Sequence, residues 1–275
     1  MIGTILHDRW RILAWQLAIL VAIVGAWEYL TGIKAISRTP GLYWIDPFFI
    51  SRPSKIVERF VHLAGPSVRL SIWAMAWSTV QSTLWGFLVG VTTGFVAGLV
   101  LGRSERLARV CSPFIVAFNS LPRIALVPLI TMIFGFGLLA KVVLAWSIVF
   151  FIVFFNTFQG ARSVDADLIH SARFLGANER QVMWSVIVPS ALAWTFASLT
   201  PSISFALIGV VVGEFIGGES GGGLGYLIIQ SLGTLNAADM MVALVALGLI
   251  GIVMALGIRQ VEARLLRWRP EYQKR

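Results

Sequence analysis

The sequence predicts an all-α integral membrane protein with six transmembrane helices. Of its 275 residues, 57% are hydrophobic and only 13% are charged, and the mean hydropathy is +0.83. A soluble domain carries roughly a quarter charged residues, so about half the expected polar surface is missing and lipid must solvate what remains. Several apolar runs also reach the roughly 20 residues that a helix needs to cross a bilayer.

The first span is Ile12 to Leu30. It is long enough to cross and no small-residue cleavage site ends it, so it is not expected to be a cleavable signal peptide. A polar stretch, Thr31 to Arg69, follows, with a surface helix at Pro53 to Leu63. The second span is Ile72 to Leu101, and a short basic loop, Gly102 to Arg109, leads to the third, Pro113 to Phe136. The fourth covers Val142 to Phe158, the fifth Val186 to Ile216 and the sixth Met240 to Ile258. A polar block from Gly160 to Trp184 separates spans four and five, and a glycine cluster, Gly217 to Gly225, follows span five as a turn or short re-entrant element.

The formal charge is +9. On a soluble protein this would suggest nucleic acid. Here the basic residues lie beside apolar runs, where they act as orientation signals, and no nucleic-acid partner is expected. Arg9 and Arg11, Arg103, Arg106 and Arg109, Arg162, Arg173 and Arg180, and the tail Arg259 to Arg275 fall on one side. Lys34, Arg38, Arg52, Lys55, Arg59 and Arg69 fall on the other, with Lys141 near a boundary. The bias places both termini in the cytoplasm. One cysteine, Cys111, excludes an intrachain disulfide, and the scattered His7, His62 and His170 propose no metal site.

Span two has glycine at every fourth position: Gly86, Gly90, Gly94, Gly98 and Gly102. All five share one slowly rotating face, and small residues let membrane helices approach closely. The partner is either a neighbouring helix or a second copy of the chain. Gly209, Gly213 and Gly217 repeat the spacing in span five. Span three contains Asn119, Ser120, Pro122, Arg123 and Pro128, so it is expected to be kinked or broken. Irregular backbone and a charge at membrane depth want water or protein, which sets Asn119 to Pro128 beside a translocation pathway. Arg123 snorkelling to the interface is the alternative. Ser198, Thr200, Ser202 and Ser204 either face that pathway or bond between helices. Glu214 lines its mouth, pairs with an arginine or lies at the surface.

The polar block divides into two short helices. Ser163, Asp165 and Asp167 suit a first N-terminus. Leu168, Ser171, Ala172 and Leu175 share one face, and Gly176 suits a left-handed C-terminal cap. Asn178 with Gln181 forms a capping box, and Pro189 punctuates entry into span five. The product is either a rigid helix–turn–helix knob fitted to a partner or an amphipathic pair on the bilayer surface.

The block resembles the EAA loop of bacterial ABC importer permeases: Glu-Ala-Ala, three residues, Gly, nine residues, Ile, any residue, Leu-Pro. Aligned on Gly176, the triplet falls at His170, Ser171 and Ala172, and the end falls at Val186, Val188 and Pro189. The acid is replaced by histidine. Ser120 to Leu129, Phe134-Gly-Phe-Gly, Lys141, Glu214, Gly222-Gly-Leu-Gly-Tyr and Glu262 to Trp268 are similar to the subfamily that imports nitrate, sulfonates, taurine and bicarbonate. That subfamily also includes permeases for pyrimidine precursors and aromatic carboxylates.

The resemblance implies a type I importer permease (MetI-like) fold with a coupling loop over 160–189, in which Asp165, Asp167, Leu168, His170, Ser171, Ala172, Arg173, Phe174, Gly176, Ala177, Val188 and Pro189 meet the ATPase. It implies a first helix and outer loop over 1–70, a core permease domain over 71–260 and a basic tail over 261–275. It further implies a second permease copy, two cytoplasmic ATPase subunits carrying ATP and Mg, an extracytoplasmic substrate-binding protein and a bacterial inner-membrane location. The basic outer loop and Arg123 are compatible with a small anionic solute as substrate. No Gly-x-x-x-x-Gly-Lys-Ser/Thr occurs, so no Walker A loop is present and no cofactor is expected on this chain. An ion-gradient-driven transporter or channel is the rival; it would favour buried carboxylates or related halves. A membrane enzyme is disfavoured by the missing nucleophile–base pair.

Overall fold

The computed structural model describes residues 2–33, 46–65 and 71–266, with side chains from residue 10 onward and without those of 219–221. Lys34, Arg38, Arg69 and the tail beyond Leu266 therefore lie outside the described residues. Every regular element among the described residues is helical. Five helical runs are long and apolar enough to cross a membrane: Trp10–Gly32, Ile72–Arg103, Leu138–Arg162, Glu179–Gly218 and Ala237–Leu265. A sixth span is a pair, Glu105–Ser120 and Arg123–Phe134, bent by 79°.

The chain divides into two compact units, Met1–Ile72 with Leu227–Val245, and Trp73–Tyr226 with Ala246–Arg275. In the first, α1 (Ile2–Gly32) precedes α2 (Pro47–Ile50) and α3 (Pro53–Leu63). The surface helix expected at Pro53 to Leu63 is α3. Its start is held by Glu28 of α1, whose carboxylate accepts from Ser54 N–H at 2.9 Å and Ser54 Oγ at 2.8 Å. Its far side is held by a two-bond fork from Arg59 Nε and Nη2 to Asp239, each 2.7 Å. That hydrogen bonding raises the Arg59 pKa above its ordinary value.

In the second unit, α4 (Ile72–Arg103) carries the glycine stripe. A Cβ at Gly90 would meet Val149 at 2.6 Å, one at Gly94 the Phe150 carbonyl at 2.7 Å, and one at Gly98 the Phe154 carbonyl at 2.7 Å. The stripe therefore faces α7 (Leu138–Arg162) of the same chain. Glycine is required because the α7 backbone occupies the space of a side chain. Gly209 and Gly213 of α10 (Val188–Gly221) let α10 approach α7, with Ile148 and Leu144 each 2.9 Å from the added Cβ. Thus α7 lies between two glycine-faced helices, and Ala145, Val149, Val153, Ile203, Ala206 and Val210 are buried along the seam.

Two expectations need correction. The basic loop at 102–109 is a break at Ser104 alone, because Ser104 Oγ accepts from Leu107 N–H and starts α5 (Glu105–Ser120). Pro113, expected to open span three, lies inside α5. The predicted break does occur: Leu121 is extended, as a residue before proline prefers, and a 3₁₀ turn (Arg123–Leu126) leads into α6 (Val127–Phe134). Pro128 sits at the start of α6, where its missing N–H costs nothing.

Candidate functional site

Three places carry the chemistry singled out above: the polar block, the broken span and the end of α10. In the block, α8 (Ala166–Phe174) is capped by Asp165, which accepts from Asp167 N–H at 2.9 Å. Gly176 has φ +89°, where any side chain is strained. Its N–H donates to Arg173 O at 2.9 Å and Ala177 N–H to Ala172 O at 3.0 Å, the paired bonds of a Schellman end. Asn178 and Gln181 form the capping box that opens α9 (Glu179–Val182). Across the turn Arg173 Nη2 meets Glu179 at 2.8 Å. This brace was not foreseen; opposite charges six residues apart approach only because the turn folds back.

No residue of α8 is buried. Phe174 is 96% and Leu175 89% exposed, and Leu168 is exposed beside Asp167, His170 and Ser171. Ala172 and Ala177 are half-buried. Pro189, expected to punctuate entry into span five, lies in the first turn of α10, and the span itself begins earlier, at Glu179. After α9 the chain makes a π turn, Met183–Ile187, and passes unbroken into α10, with Val188 buried and Val188 N–H donating to Met183 O. Proline lacks the N–H that an α turn would use, and falling in the first α10 turn it leaves only one bond unmade. The second short helix is thus the head of span five.

At the broken span, Arg123 Nη2 donates to Asn119 Oδ1 at 2.7 Å and the guanidinium lies 4.6 Å over the Phe151 ring. Ser120 Oγ returns to Val116 O at 2.8 Å, and Pro122 is exposed. Ser198 is buried and bonded to Thr195 O at 2.7 Å. Ser202 is also buried, with no partner for its hydroxyl among the described residues. Thr200 donates to Glu262 at 3.1 Å, which fits bonding between helices.

Glu214 is fully buried, so neither surface placement nor an arginine partner holds. Lys141 Nζ stands 3.3 Å from its Oε1 and 2.8 Å from Ser78 Oγ. Thr79 Oγ1 lies 2.9 Å from Oε1. The glycine cluster turns into α11 (Leu224–Gly233), whose Gly225 N–H donates to Oε2 at 2.9 Å and Leu224 N–H to Thr79 Oγ1 at 3.0 Å. Gly223 has φ +104°, and a Cβ there would collide with the Glu214 carboxylate. Lys141 and Glu214 were each singled out in the sequence, but nothing local pairs residues that far apart. Cys111 is half-buried, and among the described residues no three His, Cys, Asp or Glu converge.

Residues 90–267 match the model of a family described as the binding-protein-dependent transport system inner membrane component. The taurine transport system permease protein TauC of Escherichia coli (strain K12) is 28% identical over 275 residues, 98% of this chain and 97% of the relative. The putative aliphatic sulfonates transport permease protein SsuC of Bacillus subtilis (strain 168) is 31% identical over 62% of each chain. The riboflavin transport system permease protein RibX of Chloroflexus aurantiacus is 35% identical over 59% of this chain and 60% of the relative. With these last two, the match spans about three-fifths of their length. Among solved structures, an inward-facing MetNI methionine ABC transporter chain aligns with TM-score 0.59 at 22% identity, over 69% of this chain and 93% of that one. An amino acid ABC transporter with histidines aligns with TM-score 0.56 at 18% identity, over 78% and 97%. At these identities the two structures establish the fold alone.

Proposed function

The chain belongs to the family of binding-protein-dependent transport system inner membrane components, the permeases of ABC importers, and we propose from that membership how its parts act. It is a multi-pass membrane transport component, not an enzyme, and works with ATPase and binding-protein partners. In our reading α8 is the element that the ATPase grips. The observation that carries this is the exposed tip Phe174–Leu175 on a turn braced by two caps and an ion pair. A surface that apolar, on a segment otherwise polar, suits a protein groove. Because α9 continues into α10 without a break, force applied to α8 would reach a membrane span directly. ATP and Mg would be held by the partner subunits.

The reading extends to a homodimer with both termini and the α8–α9 knob in the cytoplasm, in a bacterial inner membrane. Since the glycine stripe is consumed by α7 of the same chain, a dimer would use other surfaces. The cargo would be a small anionic solute of the sulfonate kind. Two relatives are named for taurine and aliphatic sulfonates, and Arg123 at the broken span supplies a cation. Mild-detergent purification of the tagged chain from its native membranes, with mass spectrometry, tests the assembly. A stoichiometric ATPase that disappears in Gly176→Asp is expected. A chain that purifies alone and moves solute into liposomes without ATP would overturn the coupling reading. Taurine uptake unchanged by Arg123→Ala would remove the anion argument.

A further inference from the structure

The pair Lys141–Glu214 lies on the two helices that the knob connects, at their opposite end. At 1.5 Å per residue, α7 carries Lys141 about 32 Å from Arg162, and α10 carries Glu214 about 39 Å from Val188. Both lengths match or exceed the roughly 30 Å of bilayer hydrocarbon. Between the ends, glycine contacts fix α4 and α10 against α7. Interfaces packed at that distance switch between discrete arrangements rather than bend.

Four elements meet at the far end: Ser78 and Thr79 of α4, Lys141 of α7, Glu214 of α10, and the first turn of α11. The first N–H groups of a helix have no partner within it. Here those of Leu224 and Gly225 are satisfied from outside, by the Thr79 hydroxyl and the Glu214 carboxylate. A carboxylate is also favourable at the positive end of a helix. The start of α11 is therefore set by a charge on α10, and that charge is balanced from α7. A buried ion pair is a poor source of stability, because well-packed apolar residues often serve as well or better. What it supplies is one permitted arrangement of the groups it joins.

We propose that Lys141 and Glu214 are positioning residues that join α7, α10 and the α10–α11 turn into one lever, delivering motion of the knob to the other side of the membrane. This rests on the coupling reading above and adds where the motion arrives. The test uses the complete transporter in liposomes, in a Cys111→Ser background carrying Ile216→Cys, since Ile216 is exposed two residues from Glu214. The rate of labelling by a membrane-impermeant maleimide is compared between nucleotide-free and ATP–vanadate-trapped states. With Lys141 and Glu214 intact, trapping should change the rate by roughly fivefold or more. In Lys141→Met/Glu214→Leu, ATP hydrolysis should persist while the change shrinks to less than about twofold.

A double variant that keeps the full change overturns the proposal. So does one that no longer assembles with the ATPase, since the pair would then serve folding alone. If trapping leaves labelling unchanged even with the pair intact, despite ATP hydrolysis by the complex, motion does not reach this turn and the lever fails while ATPase docking stands. If the complex forms no ATPase contact at all, the coupling reading fails first.

Discussion

The two ends of the α7–α10 pair place their side chains in opposite ways. At the far end a lysine, a glutamate, a threonine and two backbone N–H groups are buried among apolar spans, and each finds a partner. At the knob, a phenylalanine and a leucine stand almost fully exposed on a polar segment. Buried polar groups are tolerable only when their network is complete, so the far end is finished within the chain. Exposed apolar groups on a rigid turn are incomplete in the same sense, and what completes them is another protein. The contrast separates a part where removing one partner alone should damage folding from a part whose changes should damage assembly.

The sharpest test of that division is Glu214→Gln, which leaves the Lys141 charge buried without its counter-ion. It should cost about 3–5 kcal/mol, read as a loss of folded chain or a large fall in thermal stability in detergent. Next comes the seam between the ends. Gly98→Val forces a side chain into the Phe154 carbonyl and should cost about 1–3 kcal/mol. Gly248→Val, where nothing lies within 4 Å, should change stability by less than about 0.5 kcal/mol. In the knob, Gly176→Ala meets no atoms but must hold φ +89°, costing about 1–2 kcal/mol. Phe174→Ala should leave stability within about 0.5 kcal/mol yet weaken ATPase association by roughly tenfold or more in a pull-down titration. A large stability loss from Phe174→Ala would erase the contrast.

What the sequence revealed was local. Hydropathy located the spans, the prolines at 122 and 128 marked the break, and Asp165, Gly176 and the Asn178–Gln181 pair marked the knob, because caps act within a few residues of themselves. What stayed hidden was pairing at a distance. The stripe from Gly86 to Gly102 announced a close neighbour without saying whether it was α7 or another copy. Glu214 showed no sign that Lys141 and Thr79 would surround it, since a one-dimensional pattern carries no record of which spans adjoin. Pro189 marked the entry into span five without showing that the span begins back at Glu179. Proline disfavours a helix interior, but it fits a first turn, and here the π turn before it lets the helix run on.

That π turn also fixes a phase. A turn that bonds Val188 back to Met183 holds one residue more than an α turn. The wider turn absorbs that residue, so Val188 sits over Met183 nearly where the fourth residue on would sit in an α turn. Removing one residue within 183–187 should therefore close a plain α turn and leave the knob close to its present angle against span five. Adding one residue there, with no further widening to absorb it, should rotate the knob by about 100° and shift it by about 1.5 Å. The two variants together separate the angle of the knob from its presence, which no point substitution can do.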